Sequence, residues 1–146
     1  MLVRSSLASL AMLALAWGCS EESTSGSGFH LPAGDVQEGR SAFQALGCVE
    51  CHSVAGEADL PAPVASVTLE LGGELHKVRT YGQLVTSIID PSHSISNRAP
   101  KEVRETNVTT MKNFNDAMTV TQLIDLVSFL HSKYVQLEPA YNPVPF

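Results

Sequence analysis

Apolar residues recur at helical spacing in three stretches of the chain, separated by long polar or proline-bearing segments. The first predicted helix runs from about Asp35 to Leu46, with Val36, Phe43 and Leu46 on one face. Asp35 is a good N-cap with Glu38 three residues on, a capping-box pattern, and Gly47 stands at the expected stop. The second runs from about Thr80 to Ile89. Thr80 and Gln83 form its capping box, Leu84, Val85 and Ile88 its apolar face, and Asp90-Pro91 ends it. The third runs from about Thr119 to Tyr134, with Thr119 and Gln122 at its start. Leu123, Leu126, Val127 and Leu130 repeat along it, and Phe129 sits beside them. A short helical piece fits near Lys101 to Glu105. Val64 to Leu71 is the one strand candidate, and Gly72-Gly73 marks a turn. The fold class expected is all-α.

The 146 residues suffice for one domain. The connections are long for so small a core. Pro61 and Pro63 exclude a continuous helix after Cys48, residues 92–117 read mostly as loop, and the tail at 139–146 carries Pro139, Pro143 and Pro145. Loops of this length are uncommon unless something organises them. A large buried cofactor would do so, because loops can wrap it.

Residues 1–18 read as a secretory signal: Arg4, then an apolar run from Leu7 to Trp17 too short to span a bilayer. Gly18-Cys19 at the end of that run resembles the lipobox of bacterial lipoproteins, although Ala16 and Trp17 depart from its preferred residues. The resemblance implies cleavage before Cys19 and lipid on that cysteine, hence an anchor on the periplasmic side of a bacterial membrane. Ordinary cleavage near Gly18, leaving a soluble periplasmic protein, is the alternative. Residues 19–30, rich in Ser and Gly, read as a flexible tether, and residues 31–138 as the folded domain. Removing residues 1–18 takes away Arg4 and no acid, so the formal charge moves from −6 to −7. An acidic chain argues against nucleic acid as a partner.

Charge is unevenly spread. Between Cys19 and His76 Arg40 is the one base among nine acids, whereas Lys77, Arg79, Arg98, Lys101, Arg104 and Lys112 crowd the next stretch. Those bases suit cofactor carboxylates or an acidic partner, or simply a solvated loop.

Cys48-Val49-Glu50-Cys51-His52 is a C-x-x-C-H sequence, the pattern of covalent c-type haem attachment. Two thiols two residues apart can reach two vinyl groups on one porphyrin edge, and the next residue offers an imidazole to the iron. A zinc site would need a second ligand pair, which is missing. A thioredoxin-like redox pair would be expected after a strand rather than after a capped helix. A Cys48–Cys51 disulfide would leave the long loops unexplained.

The stretch Gly39-x-x-x-Phe43-x-x-Leu46-Gly47-Cys48-x-x-Cys51-His52-Ser53-Val54 resembles the opening of class I cytochromes c. The resemblance covers about Asp35 to Tyr134. It implies a cytochrome c-like fold of three main helices and long loops wrapped around one covalent haem. It also implies that Gly39 and Phe43 pack against the last helix, at Phe129 or Leu126. Met111-Lys112-Asn113-Phe114 is similar to the family's Met-Pro-x-Phe segment, with Lys112 replacing the proline, so Met111 is the implied distal ligand opposite His52. Met118 and His93 are the alternatives; His30, His76 and His131 are expected as surface or loop residues rather than ligands. In the family a proline carbonyl orients the proximal imidazole, and Pro63 aligns best with it, Pro61 second. The function implied is one-electron transfer without catalysis or a small-molecule substrate, between redox proteins such as a dehydrogenase and an oxidase. A permanently docked subunit of a periplasmic oxidoreductase complex is one alternative. A haem enzyme or gas sensor with an open iron site is the other.

Overall fold

The computed structural model describes residues 31–137. The predicted signal, Cys19, the tether at 19–30 and the tail at 139–146 lie outside the described residues. Within the described residues the chain forms four helices: α1 (Val36–Ala45), α2 (Tyr81–Ile89), α3 (Lys101–Thr106) and α4 (Val120–His131). Four short strands accompany them: β1 (His52–Val54), β2 (Leu69–Leu71), β3 (Gly73–Leu75) and β4 (Tyr134–Gln136). None of these helices is long and apolar enough to cross a membrane.

Each main helix begins where its cap predicts. Thr80 and Thr119 form complete capping boxes with Gln83 and Gln122. At α1 the reciprocal half is replaced. The Asp35 carboxylate accepts from the Gln37 and Glu38 amides at 2.7 and 3.0 Å, but its own amide donates to Asp125 Oδ1 of α4 at 2.8 Å rather than to Glu38. The cap of one helix is thereby sewn to the other.

That stitch sits on a close crossing. A Cβ at Gly39 would overlap the Asp125 carbonyl and lie 2.7 Å from Phe129 Cβ; one at Gly34 would lie 2.6 Å from the Ile124 carbonyl oxygen. Glycine at these positions lets two backbones touch. Beside them Phe43 and Phe129, 1% and 0% exposed, meet edge to face with centroids 5.9 Å apart. Val36, expected on this inner face, is instead exposed, and Gly39, Ala42 and Phe43 form it. Leu84, Val85 and Ile88 of α2 close the core with Leu126, Val127 and Leu130 of α4.

The strands revise the all-α expectation. β1 pairs with β2 in parallel, His52 opposite Leu69 and Val54 opposite Leu71; β3 pairs with β4 in parallel, Gly73 opposite Tyr134. β2 falls inside the Val64–Leu71 candidate. The last helix stops at His131, three residues short of the expected Tyr134, because Gly73 N–H captures the Lys133 carbonyl at 2.9 Å and draws the chain into β4. Gly72 and Gly73 make that turn with φ of 79° and 84°, a left-handed conformation that favours glycine.

An ionic cluster braces the end of the α1–α4 pair. Glu57, 12% exposed, accepts from Arg40 Nε at 2.7 Å and pairs with Lys133, while Arg40 also reaches Asp59. The Lys133 hydrogen bond, seconded by Arg40, holds the Glu57 carboxyl below the usual carboxylate range. The Lys133 ammonium also lies 5.3 Å from the centre of the Phe129 ring.

Candidate functional site

The site is built from the end of α1. Gly47 takes φ of 74°, turning the chain out of the helix and into a single 3-10 turn, Cys48–Glu50. Cys51 N–H closes that turn on the Cys48 carbonyl at 3.2 Å. Both cysteines are half-buried thiols, unlinked to each other. Burial, with a smaller contribution from Cys51, pushes the Cys48 thiol up to about 11 against the pull of a backbone hydrogen bond. That shift favours the neutral thiol over a nucleophilic thiolate at Cys48.

His52 follows at the first position of β1. Its Nδ1 donates to the Leu69 carbonyl at 3.0 Å. A carbonyl can only accept, so Nδ1 carries the proton and Nε2 keeps its lone pair. Burial lowers the imidazole pKa, opposed by that hydrogen bond, which favours the neutral, ligand-competent ring.

The expectation that Pro63 orients this ring is therefore corrected, and Pro61 does not take the role either. Their loop is committed elsewhere: the Val64 and Ala65 amides both donate to the Glu50 carbonyl, at 3.1 and 3.0 Å, bracing the attachment turn from outside. The chain then returns alongside β1. Leu69 N–H donates to the Cys51 carbonyl at 3.0 Å, and strand pairing places the next acceptor, Leu69 O, at the imidazole. A backbone acceptor has no side-chain signature, and the Val64–Leu71 strand candidate did not by itself name its pairing partner.

Cys48, Cys51 and His52 line one cavity of about 540 Å³, within the ~300–1,000 Å³ usual for cofactor pockets. Phe43 and Leu46 of α1, Leu84 and Ile88 of α2 and Leu126 and Leu130 of α4 give it apolar walls. Met111, half-buried in the segment before α4, lines the same cavity. Met118 does too, but it also packs against the hydrophobic core, as a filler would. His93 is not part of the lining. Its side chain is 66% exposed and turns to Asp90, 4.0 Å away. His76, expected on the surface, is exposed yet reaches the cavity rim.

Lys77, Arg79, Arg98 and Lys112 line the cavity, whereas Lys101 pairs with Glu105 and Arg104 bonds the Ala99 carbonyl. Arg79 is steadied by Ser87 Oγ at 3.2 Å, Arg98 by the Gly72 carbonyl at 3.0 Å, and Lys112 by Glu50 at 3.1 Å. Tyr134 of β4, not anticipated as a site residue, completes part of the wall.

The donor set can be tested against what it would hold. Among the described residues no three His, Cys, Asp or Glu side chains converge on a point, so protein ligands alone do not make a zinc site. Two thiols, a neutral imidazole with free Nε2 and a thioether around an apolar cavity instead fit a flat, largely apolar iron macrocycle with anionic substituents facing bases. The family model described as Cytochrome c matches residues 36–133, two thirds of the chain. No curated protein and no solved structure shows significant similarity to the chain.

Proposed function

From the premise that this chain belongs to the cytochrome c family of haem-based electron-transfer proteins, carrying a covalently bound c-type haem, we propose that it is a periplasmic one-electron carrier with His/Met ligation. The observation that carries the reading is that Met111, far from the motif in sequence, lines the same apolar cavity as Cys48, Cys51 and His52. When bound, the haem would supply an iron centre able to cycle between Fe(III) and Fe(II), the one-electron chemistry a carrier between redox proteins needs.

The chain's own residues do the rest. Cys48 and Cys51 provide the thioether links. His52 presents Nε2 in an orientation set by Leu69 O. Met111 offers a soft sulfur that favours the reduced state. Leu84, Ile88, Leu126 and Leu130 exclude water, and Arg79 and Arg98 provide charge for the carboxylate edge. With His52 and Met111 both serving as ligands, no coordination position would remain for a substrate, which would suit a carrier rather than an enzyme. The signal-like residues 1–18, Cys19 and the Ser/Gly tether support a lipid-anchored periplasmic carrier. A tether raises its effective concentration near membrane-bound dehydrogenases or oxidases.

The test is the spectrum and mass of protein made with haem-maturation machinery. The expected result is a haem adduct that survives denaturation, and an oxidised form with the weak sulfur-to-iron band at the red end of the visible range. Absence of a haem-coloured adduct would overturn the carrier reading; absence of the sulfur band would overturn Met111. Intact mass, with and without Cys19→Ser, tests the lipid.

A further inference from the structure

The segment at 107–118 carries Met111, and most of its hydrogen bonds are internal. The Ala117 and Met118 amides both donate to the Phe114 carbonyl at 2.9 Å, the Met111 amide to Thr109 Oγ1 at 3.1 Å and the Asn115 amide to Asn113 Oδ1 at 2.8 Å. Among the described residues two hydrogen bonds leave the segment. Asn115 Nδ2 donates to the Ile89 carbonyl at the end of α2, at 3.0 Å. Lys112 Nζ donates to Glu50 Oε2 at 3.1 Å.

The second is the one beside Met111. Glu50 lies between the two cysteines, in the turn whose carbonyl is braced by Val64 and Ala65. Lys112 stands at the position where a proline would stiffen the backbone but could not reach across. Glu50, Lys112, Cys48, Cys51 and Met111 all line the same cavity. The ion pair thus spans from the attachment turn to the segment that carries the thioether.

We propose that the Glu50–Lys112 ion pair is a clasp that positions Met111, holding its segment against the attachment turn so that the sulfur stays directed into the cavity. This rests on Met111 as the distal ligand. Both side chains are exposed, 54% and 71%, so the attraction is modest and screened by salt. Its effect is therefore small for global stability. It is visible in the local equilibrium between Met111 seated and Met111 released, where an exposed pair is worth up to about fivefold.

The experiment titrates the haem-loaded full chain, oxidised and at low ionic strength, with imidazole, following loss of the sulfur-to-iron band. Glu50→Gln and Lys112→Gln should each raise imidazole affinity about two- to fivefold. The swapped double variant Glu50→Lys/Lys112→Glu should return it most of the way to wild type. Salt at about 1 M should bring wild type close to the single variants. Covalent haem content and denaturant midpoint, little changed in all three, separate the clasp from a general folding defect. Wild-type affinity in both single variants, or a swap no better than either, overturns the proposal. A wild-type protein with no sulfur band overturns the Met111 reading instead, and the clasp with it.

Discussion

The Leu69 carbonyl accepts the Nδ1 proton of His52 at 3.0 Å, and the same residue's amide donates to the Cys51 carbonyl. One residue of β2 therefore holds the motif by backbone and by imidazole together. Leu69→Pro removes the amide and loosens that strand. A cost of about 2 kcal/mol is expected in denaturant unfolding. A weaker hydrogen bond makes the imidazole a poorer donor to ferric iron. The midpoint potential should therefore rise, while Leu69→Ala, which keeps both backbone groups and trims one side chain of the cavity wall, should keep the His52 hydrogen bond and shift the potential less. Redox titration of the two variants separates these outcomes.

Met111→Ala removes the sulfur from the cavity wall. The sulfur-to-iron band should vanish, and the midpoint potential should fall by roughly 0.1–0.3 V, part of the ~0.8 V that axial ligation spans. Met118→Leu, which preserves apolar volume, should keep the band and most of the potential. The opposite pattern would make Met118 the ligand.

Gly39→Ala tests the α1–α4 crossing. The new methyl would run into the Asp125 carbonyl, a backbone group that cannot step aside alone. A loss of about 3 kcal/mol is expected, the upper end of overpacking costs, measured by denaturant unfolding of the haem-loaded protein. Val36→Ala on the exposed side of the same helix should cost under about 1 kcal/mol.

Glu57 gives the fold an acid-sensitive element. Its folded-state pKa lies below the unfolded value, first through the Lys133 hydrogen bond and then through Arg40. The stabilisation is therefore complete above the ordinary Glu value of about 4.3 and is lost as pH falls through the depressed folded one. Glu57→Gln should cost about 1–2 kcal/mol at pH 7, between exposed and buried pairs. Its unfolding free energy should also fall less steeply than that of wild type below about pH 5.

What was readable in advance was local. Thr80–Gln83 and Thr119–Gln122 bond within one turn, so their spacing announces the helix starts. Cys48, Cys51 and His52 are contiguous, so their chemistry is visible in five residues. Gly39 and Phe43 were legible through a pattern whose partner lies far along the chain. Strands of three residues are too short to show alternation, so β1, β3 and β4 went unseen. Glu38 looked like the partner of the Asp35 amide, but Asp125, brought in by the crossing, took it. The Leu69 carbonyl and the Glu50–Lys112 pair depend on which loops meet, which no local spacing encodes.

The α1–α4 crossing has a consequence for the order of assembly. Its two sides come from residues near 34–43 and 124–130, the two ends of the described chain. The core cannot shut until the later side has emerged, because closure over so long a separation has to wait for both. The turn at Cys48–His52 follows directly on one side of that crossing, so its enclosure depends on a contact that spans 90 residues of sequence, from Asp35 to Asp125.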